Sequence, residues 1–220
     1  MKALILAPFD SAALDRLRSS VEVVYESWMD TRRLYSPEEL TERIQDQGFR
    51  IVVIEADFVF DEVFAGADKL RFLGVCRGSV DHVDIDAATE HGVLVVNTPA
   101  RNAAGVAELT VGLMLSLARR IPAAHELVHS GGWTDPVGPY LTLRGVELAG
   151  KTAGIVGLGA IGCEVARKLS AFDMTVLVHD PFADAGRIAQ AGAAQVDLTN
   201  LMRRADFITL HCPLTPATTG

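Results

Sequence analysis

Short apolar runs alternate with stretches whose apolar residues recur every three or four positions, and this alternation continues along most of the chain. Lys2 to Ala7, Val21 to Tyr25, Arg50 to Glu55, Leu70 to Val75 and Gly92 to Val96 read as strands. Between them, Ser11 to Ser19, Pro37 to Gln47, Asp61 to Ala67 and Asp84 to His91 read as helices. The first is capped by Asp10 or Ser11. The second opens at Ser36 with Glu39 three residues on, the pattern of a capping box. Five strands joined by helical crossovers predict a small parallel α/β domain over 1–98, with Pro99 marking the boundary to a second domain over 99–220.

Asn102 to Leu117 is a helix that is apolar nearly all round, so burial between two domains or two subunits is expected. Glu108 is its one internal charge and is expected to make a buried structural hydrogen bond, with support of an active site as the second reading. Arg119, Arg120 and Pro122 end the helix. Gly131 to Leu143, with its glycines and prolines, reads as an extended arm.

The pattern then tightens. Thr152 to Val156 is a strand, and Gly157, Leu158, Gly159, Ala160, Ile161 and Gly162 spell G-x-G-x-x-G. A helix follows with Ile161, Val165 and Leu169 on one face and Glu164, Arg167 and Lys168 on the other. A second strand, Met174 to Val178, ends at His179 and Asp180. Each glycine has a physical use: Gly157 for the sharp turn, Gly159 for close approach of a pyrophosphate to backbone, Gly162 for close packing of helix on strand. Free N–H groups at the helix start favour phosphate, and the acid at the end of the second strand accepts hydrogen bonds from an adenosine ribose. The unit therefore predicts dinucleotide binding. A helix from Ala183 to Ala191, a strand from Ala194 to Val196, a helix from Leu198 to Arg204 and a strand from Phe207 to Leu210 complete it.

Composition narrows the partners. With 220 residues, 49% of them hydrophobic and 22% charged, the chain is long enough for one large domain or two small ones. A net charge of −8 offers no basic face to nucleic acid or anionic lipid. Cys76, Cys163 and Cys212 are too far apart for a C-x-x-C pair, which suits a reducing, cytoplasmic setting without a thiolate metal site. Pro8 and Asp10 interrupt the first apolar run, so no signal peptide is read, and no run is long enough to span a membrane.

From about Leu70 onwards the sequence resembles the D-isomer-specific 2-hydroxyacid dehydrogenases. The segments that carry the resemblance are CRGSVDHVDIDAATEHGVLVVNTPARNAAGVAELTVGLMLSLAR, GVELAGKTAGIVGLGAIG, VHDP and ADFITLHCPLTPATTG. The resemblance implies a flavodoxin-like substrate domain followed by a Rossmann domain for NAD, and a small 2-hydroxy or 2-keto acid as substrate. It places the substrate's carboxylate on the loop Arg77, Gly78 and Ser79, where Arg77 and Ser79 depart from the more glycine-rich loop of most relatives. It sets Val106 towards the nicotinamide, Cys212 and Pro213 against the cofactor, and Ala160 and Ile161 over the pyrophosphate. It implies a homodimer joined through the apolar helix and the arm. The polarising arginine, the acid and the histidine of the family fall after the Leu214 to Gly220 segment, so no catalytic residue is expected in this chain. His82, His91, His179 and His211 match no catalytic position. Four strands after Gly150, against six in the usual dinucleotide fold, lead to the expectation of a segment of a dehydrogenase of roughly 300 residues or more.

Two other readings compete. His125, Glu126 and His129 spell H-E-x-x-H, and with Gly132 and Asp135 the run resembles a zinc peptidase motif. Its position between two α/β units favours a solvated helix face, and no metal is expected. The other alternative is a non-catalytic NAD-binding regulatory or scaffold protein, which turnover by the intact gene product would separate from an enzyme.

Overall fold

The computed structural model describes every residue except Ala217 and Gly220, two positions of the Leu214 to Gly220 motif that lie outside the described residues. Two units result, Met1–Arg101 and Asn102–Gly220.

The first unit contains β1 (Lys2–Ile5), α1 (Ser11–Arg18), β2 (Glu22–Tyr25), α2 (Trp28–Thr31), α3 (Pro37–Gln47), β3 (Ile51–Ile54), α4 (Asp61–Gly66), β4 (Phe72–Val75), α5 (Ile85–Glu90) and β5 (Leu94–Asn97). All five strands are parallel, in the order β2-β1-β3-β4-β5. This is the flavodoxin-like doubly wound order. Because strand side chains alternate, each sheet face has its own core. Leu4, Val52, Ile54 and Leu73 pack with Leu40, Ile44, Phe49 and Phe64. Ala3, Ile5 and Val53 pack on the other side with Leu17 and Cys76. The helix starts are fixed locally. Asp10 Oδ1 accepts from the amides of Ala12 and Ala13 at 3.1 Å each, and the Ser36–Glu39 capping box forms in both directions, at 3.3 and 3.1 Å. Helix α2, capped by Ser27, spans four residues and is too short for periodicity to reveal.

The second unit contains α6 (Ala103–Ala118), α7 (Ile121–His129), α8 (Val137–Thr142), β6 (Thr152–Val156), α9 (Ala160–Ser170), β7 (Thr175–His179), α10 (Ala185–Gln190), β8 (Ala194–Gln195), α11 (Leu198–Arg204) and β9 (Phe207–Leu210). The strands are parallel and ordered β8-β7-β6-β9. Counted within the unit this is 3-2-1-4, the order with which the dinucleotide fold begins. Ala153, Ile155, Val176 and Val178 from the sheet, Val165 and Leu169 from α9, and Ala107, Val111 and Met114 from α6 share one core.

Two expectations are corrected here. Helix α6 buries one stripe (Ala103, Ala107, Val111, Met114, Ala118), and leaves Leu109, Leu113 and Leu117 at 63%, 58% and 76% exposure. Glu108 lies on that open side and is exposed, so it makes no buried hydrogen bond. Its composition is apolar all round, yet only one face meets the core. The Gly131 to Leu143 arm is not extended throughout either. Val137–Thr142 forms α8, whose first amides, those of Val137 and Gly138, donate to Asp135 Oδ1 at 2.8 and 2.7 Å. Among the described residues no helix is long and apolar enough to cross a membrane.

Candidate cofactor and substrate sites

Strand β6 ends at Gly157, whose φ of +92° belongs to glycine. A Cβ there would lie 2.7 Å from the Cys212 nitrogen and 2.8 Å from the His211 carbonyl carbon, so the chain leaving β9 runs directly against the turn. Gly162 is equally constrained, since a Cβ would sit 2.2 Å from the Gly157 oxygen. Gly159 differs: nothing lies within 4 Å of its missing side chain. As N-cap of α9 it also provides no side-chain acceptor. The turn therefore packs at its two ends and is open in the middle, where α9 begins at Ala160 and Ile161 with no side-chain cap on its first amides. That suits a pyrophosphate.

Asp180 stands beside this turn. Its Oδ2 accepts from the Leu158 amide at 2.7 Å and its Oδ1 from the Phe182 amide at 2.9 Å. Burial works against its charge. The amides of Leu158, Phe182 and Ala183, together with the Arg187 cation, outweigh that and hold its pKa below the usual carboxylate range. The strand end is pinned by Gln195 Nε2, which donates to the Asp180 carbonyl at 3.1 Å, and by His179 Nδ1, 3.2 Å from the Val196 oxygen. The acid is thus ionised and fixed next to the phosphate turn. Val106 lies half-buried in the first turns of α6, and Cys212 is half-buried and Pro213 exposed just past β9. A nicotinamide dinucleotide fits these residues. The open turn would hold its phosphates and Asp180 its ribose, and the bound group would bring a nicotinamide ring capable of hydride transfer.

In the first unit the loop Arg77, Gly78 and Ser79 follows β4 and is exposed. Segment Asn97–Arg101 holds it: Asn97 Nδ2 donates to the Gly78 oxygen at 2.9 Å, and the Thr98 amide to the Arg77 oxygen at 3.0 Å. Arg77 pairs with neither Asp81 nor Asp84. Asp81 accepts from Ser79 Oγ at 2.5 Å, and Asp84 caps α5 through the Ala87 amide at 2.9 Å. Behind the loop His82 is 5% exposed; burial and then the Arg77 charge lower its pKa. Sequence reasoning passed over three neighbours, Glu55, Trp28 and Arg101. A charged residue directly after the all-apolar run of β3 was the available signal.

Helix α7 carries His125, Glu126 and His129 on a solvated surface, with the two imidazoles stacked 5.6 Å apart. Among the described residues no group of three or more His, Cys, Asp or Glu is placed to hold a metal ion. His91 is set against Asp61 at 3.8 Å, and His211 Nε2 against Thr209 Oγ1 at 3.0 Å.

A doubly wound parallel unit bearing an open glycine turn with a carboxylate fixed beside it defines a dinucleotide-binding α/β protein. Comparison with known proteins gives the family. Residues 111–220 match the D-isomer specific 2-hydroxyacid dehydrogenase, NAD binding domain. The chain is 37% identical over 222 residues to D-3-phosphoglycerate dehydrogenase of Archaeoglobus fulgidus, covering 100% of this chain and 40% of that protein. It is 38% identical over 219 residues to that of Methanocaldococcus jannaschii, covering 99% and 40%. The crystal structure of the TT0316 protein from Thermus thermophilus superposes with a TM-score of 0.83 at 33% identity, covering 99% of this chain and 67% of that one. The chain belongs to the D-isomer-specific 2-hydroxyacid dehydrogenase family, and its second unit is an NAD-binding domain. It spans less than half the length of the two phosphoglycerate dehydrogenases.

Proposed function

We propose that this chain provides the cofactor turn and the substrate loop of a cytoplasmic NAD-dependent oxidoreductase that moves hydride between nicotinamide and the 2-carbon of a D-2-hydroxy or 2-keto acid. The observation that carries the reading is the open turn at Gly159 with ionised Asp180 fixed beside it. In this reading the first unit binds substrate: the loop amides of Arg77, Gly78 and Ser79 receive the carboxylate, and the Arg77 guanidinium, which has no ion-pair partner among the described residues, adds a charge-assisted contact. Val106, Cys212 and Pro213 border the nicotinamide. No residue of this chain is assigned the proton transfer or the polarising of the carbonyl. The exposed stripe Leu109, Leu113 and Leu117 supports a homodimer, because a contiguous apolar stripe of this kind is ordinarily covered.

Cofactor choice tests the reading. A 2′-phosphate beside Asp180 sets anion against anion, so NAD binds more tightly than NADP, and Asp180→Ala narrows the gap while weakening NAD by about tenfold. Titration of both nucleotides by fluorescence or calorimetry checks this. Equal affinities, or tighter NADP, sink the assignment.

A further inference from the structure

Three segments of the first unit converge at Glu55. Strand β3 pairs with β4 so that Ile54 lies opposite Val75, and the Cys76 amide donates to the Ile54 oxygen at 2.8 Å. This register sets Glu55 beside Cys76, the residue immediately before the Arg77–Ser79 loop. The second segment brings Trp28, whose indole Nε1 donates to Glu55 Oε2 at 3.0 Å. The third is the 97–101 segment that grips the loop. It turns through Ala100 at φ +63° and delivers the Arg101 guanidinium to Glu55 Oε1. The Glu55 side chain is only 15% exposed, whereas its Arg101 partner is 52% exposed.

A surface ion pair needs neither an indole donor nor a half-enclosed acid, and contributes little. An ionised carboxylate offers about four lone-pair positions, of which the indole and the guanidinium occupy two. Those remaining accept hydroxyl hydrogens and gain nothing from a methyl group. The third-carbon oxygen of a three-carbon acid lies about 3 to 4 Å from its carboxyl carbon, so with a hydrogen bond of about 2.8 Å it bridges from the loop to a carboxylate on a neighbouring strand about 4.8 Å away. We propose that Glu55 is a specificity residue that accepts the hydroxyl on the third carbon of a hydroxylated 2-hydroxy or 2-keto acid. The proposal rests on the reading of Arg77–Ser79 as the carboxylate loop.

Nuclear magnetic resonance on the whole chain tests it, because the Trp28 indole N–H is a built-in reporter of the Glu55 carboxylate. D-Glycerate and D-lactate, which differ by that hydroxyl, are titrated separately. Both acids should shift the amides of residues 77–79. Glycerate should bind about tenfold tighter than lactate and alone should shift the Trp28 indole. Glu55→Gln should bring the affinity ratio towards one, with glycerate losing more affinity than lactate. Trp28→Phe, which leaves the carboxylate but loosens it, should lower the ratio in part and serves if the first variant does not fold. Equal affinities in the unaltered protein, or an unchanged ratio in both variants, overturn the role of Glu55 alone. Unmoved 77–79 amides with either acid overturn the loop reading, and the proposal with it.

Discussion

Gly157 is the residue at which fold and cofactor site are one constraint. Its positive φ strains any L side chain, and a Cβ would meet the Cys212 and His211 backbone below 3 Å. Gly157→Ala should therefore cost about 2 kcal/mol or more in stability and abolish NAD binding together, read from urea unfolding and nucleotide titration. Gly159→Ala, with open space around it, should leave stability nearly unchanged and reduce only NAD affinity. Two histidines give a pH signature. His82 is held below its usual 6.5 by burial and then by Arg77, and His211 by burial. The unfolded chain therefore takes up protons first as pH falls. Stability is fully present above about 6.5 and declines as pH drops towards the folded-state values. Urea midpoints at about pH 7.5 and about pH 5.5 should show the loss, and His82→Asn should flatten part of it.

At the scale of elements, α6 shows what periodicity conveys and what it omits. Ala107, Val111 and Met114 recur at three- and four-residue spacing and meet α9 and β6 in one core. Leu109, Leu113 and Leu117 recur just as regularly and stay mostly exposed among the described residues. Hydropathy cannot tell these faces apart, because a face covered by another subunit carries the same residues as one covered by its own fold. Leu113→Glu should leave the NAD affinity intact and convert a dimer to a monomer, measured by light scattering at micromolar concentration; a monomeric unaltered protein would remove the premise. The glycine turn and the strand, helix and strand around it were legible because three glycines, the apolar periodicities and the acid each obey a separate physical demand. Glu55 was not, since its importance lies in the register of β3 on β4 and in Trp28 and Arg101, residues distant in sequence. The α8 turn was likewise hidden, because Gly138 and Pro139 argue locally for extension while Asp135, ahead of the Pro136 N-cap, accepts from the helix's first two amides.

At the scale of the molecule, two parallel sheets present four outer strands. Two are protected: β2 begins with the exposed charge of Glu22, and β8 is only two residues long. The other two are open among the described residues. β5 exposes Leu94 and Val96, and β9 exposes Ile208 and Leu210. Unpaired N–H and C=O groups along such margins invite strands from other molecules. When two different margins of one molecule join, the contact does not close on itself, and growth is open-ended. Charge opposes this through mutual repulsion at a net −8, and salt weakens that repulsion. The isolated chain should thus form thioflavin-positive filaments above a threshold concentration that falls as salt is added. Ile208→Lys, which places a charge on the open margin of β9, should delay their appearance, and a turbidity trace indifferent to both salt and substitution would refute this. Handling the protein at low ionic strength is the practical corollary.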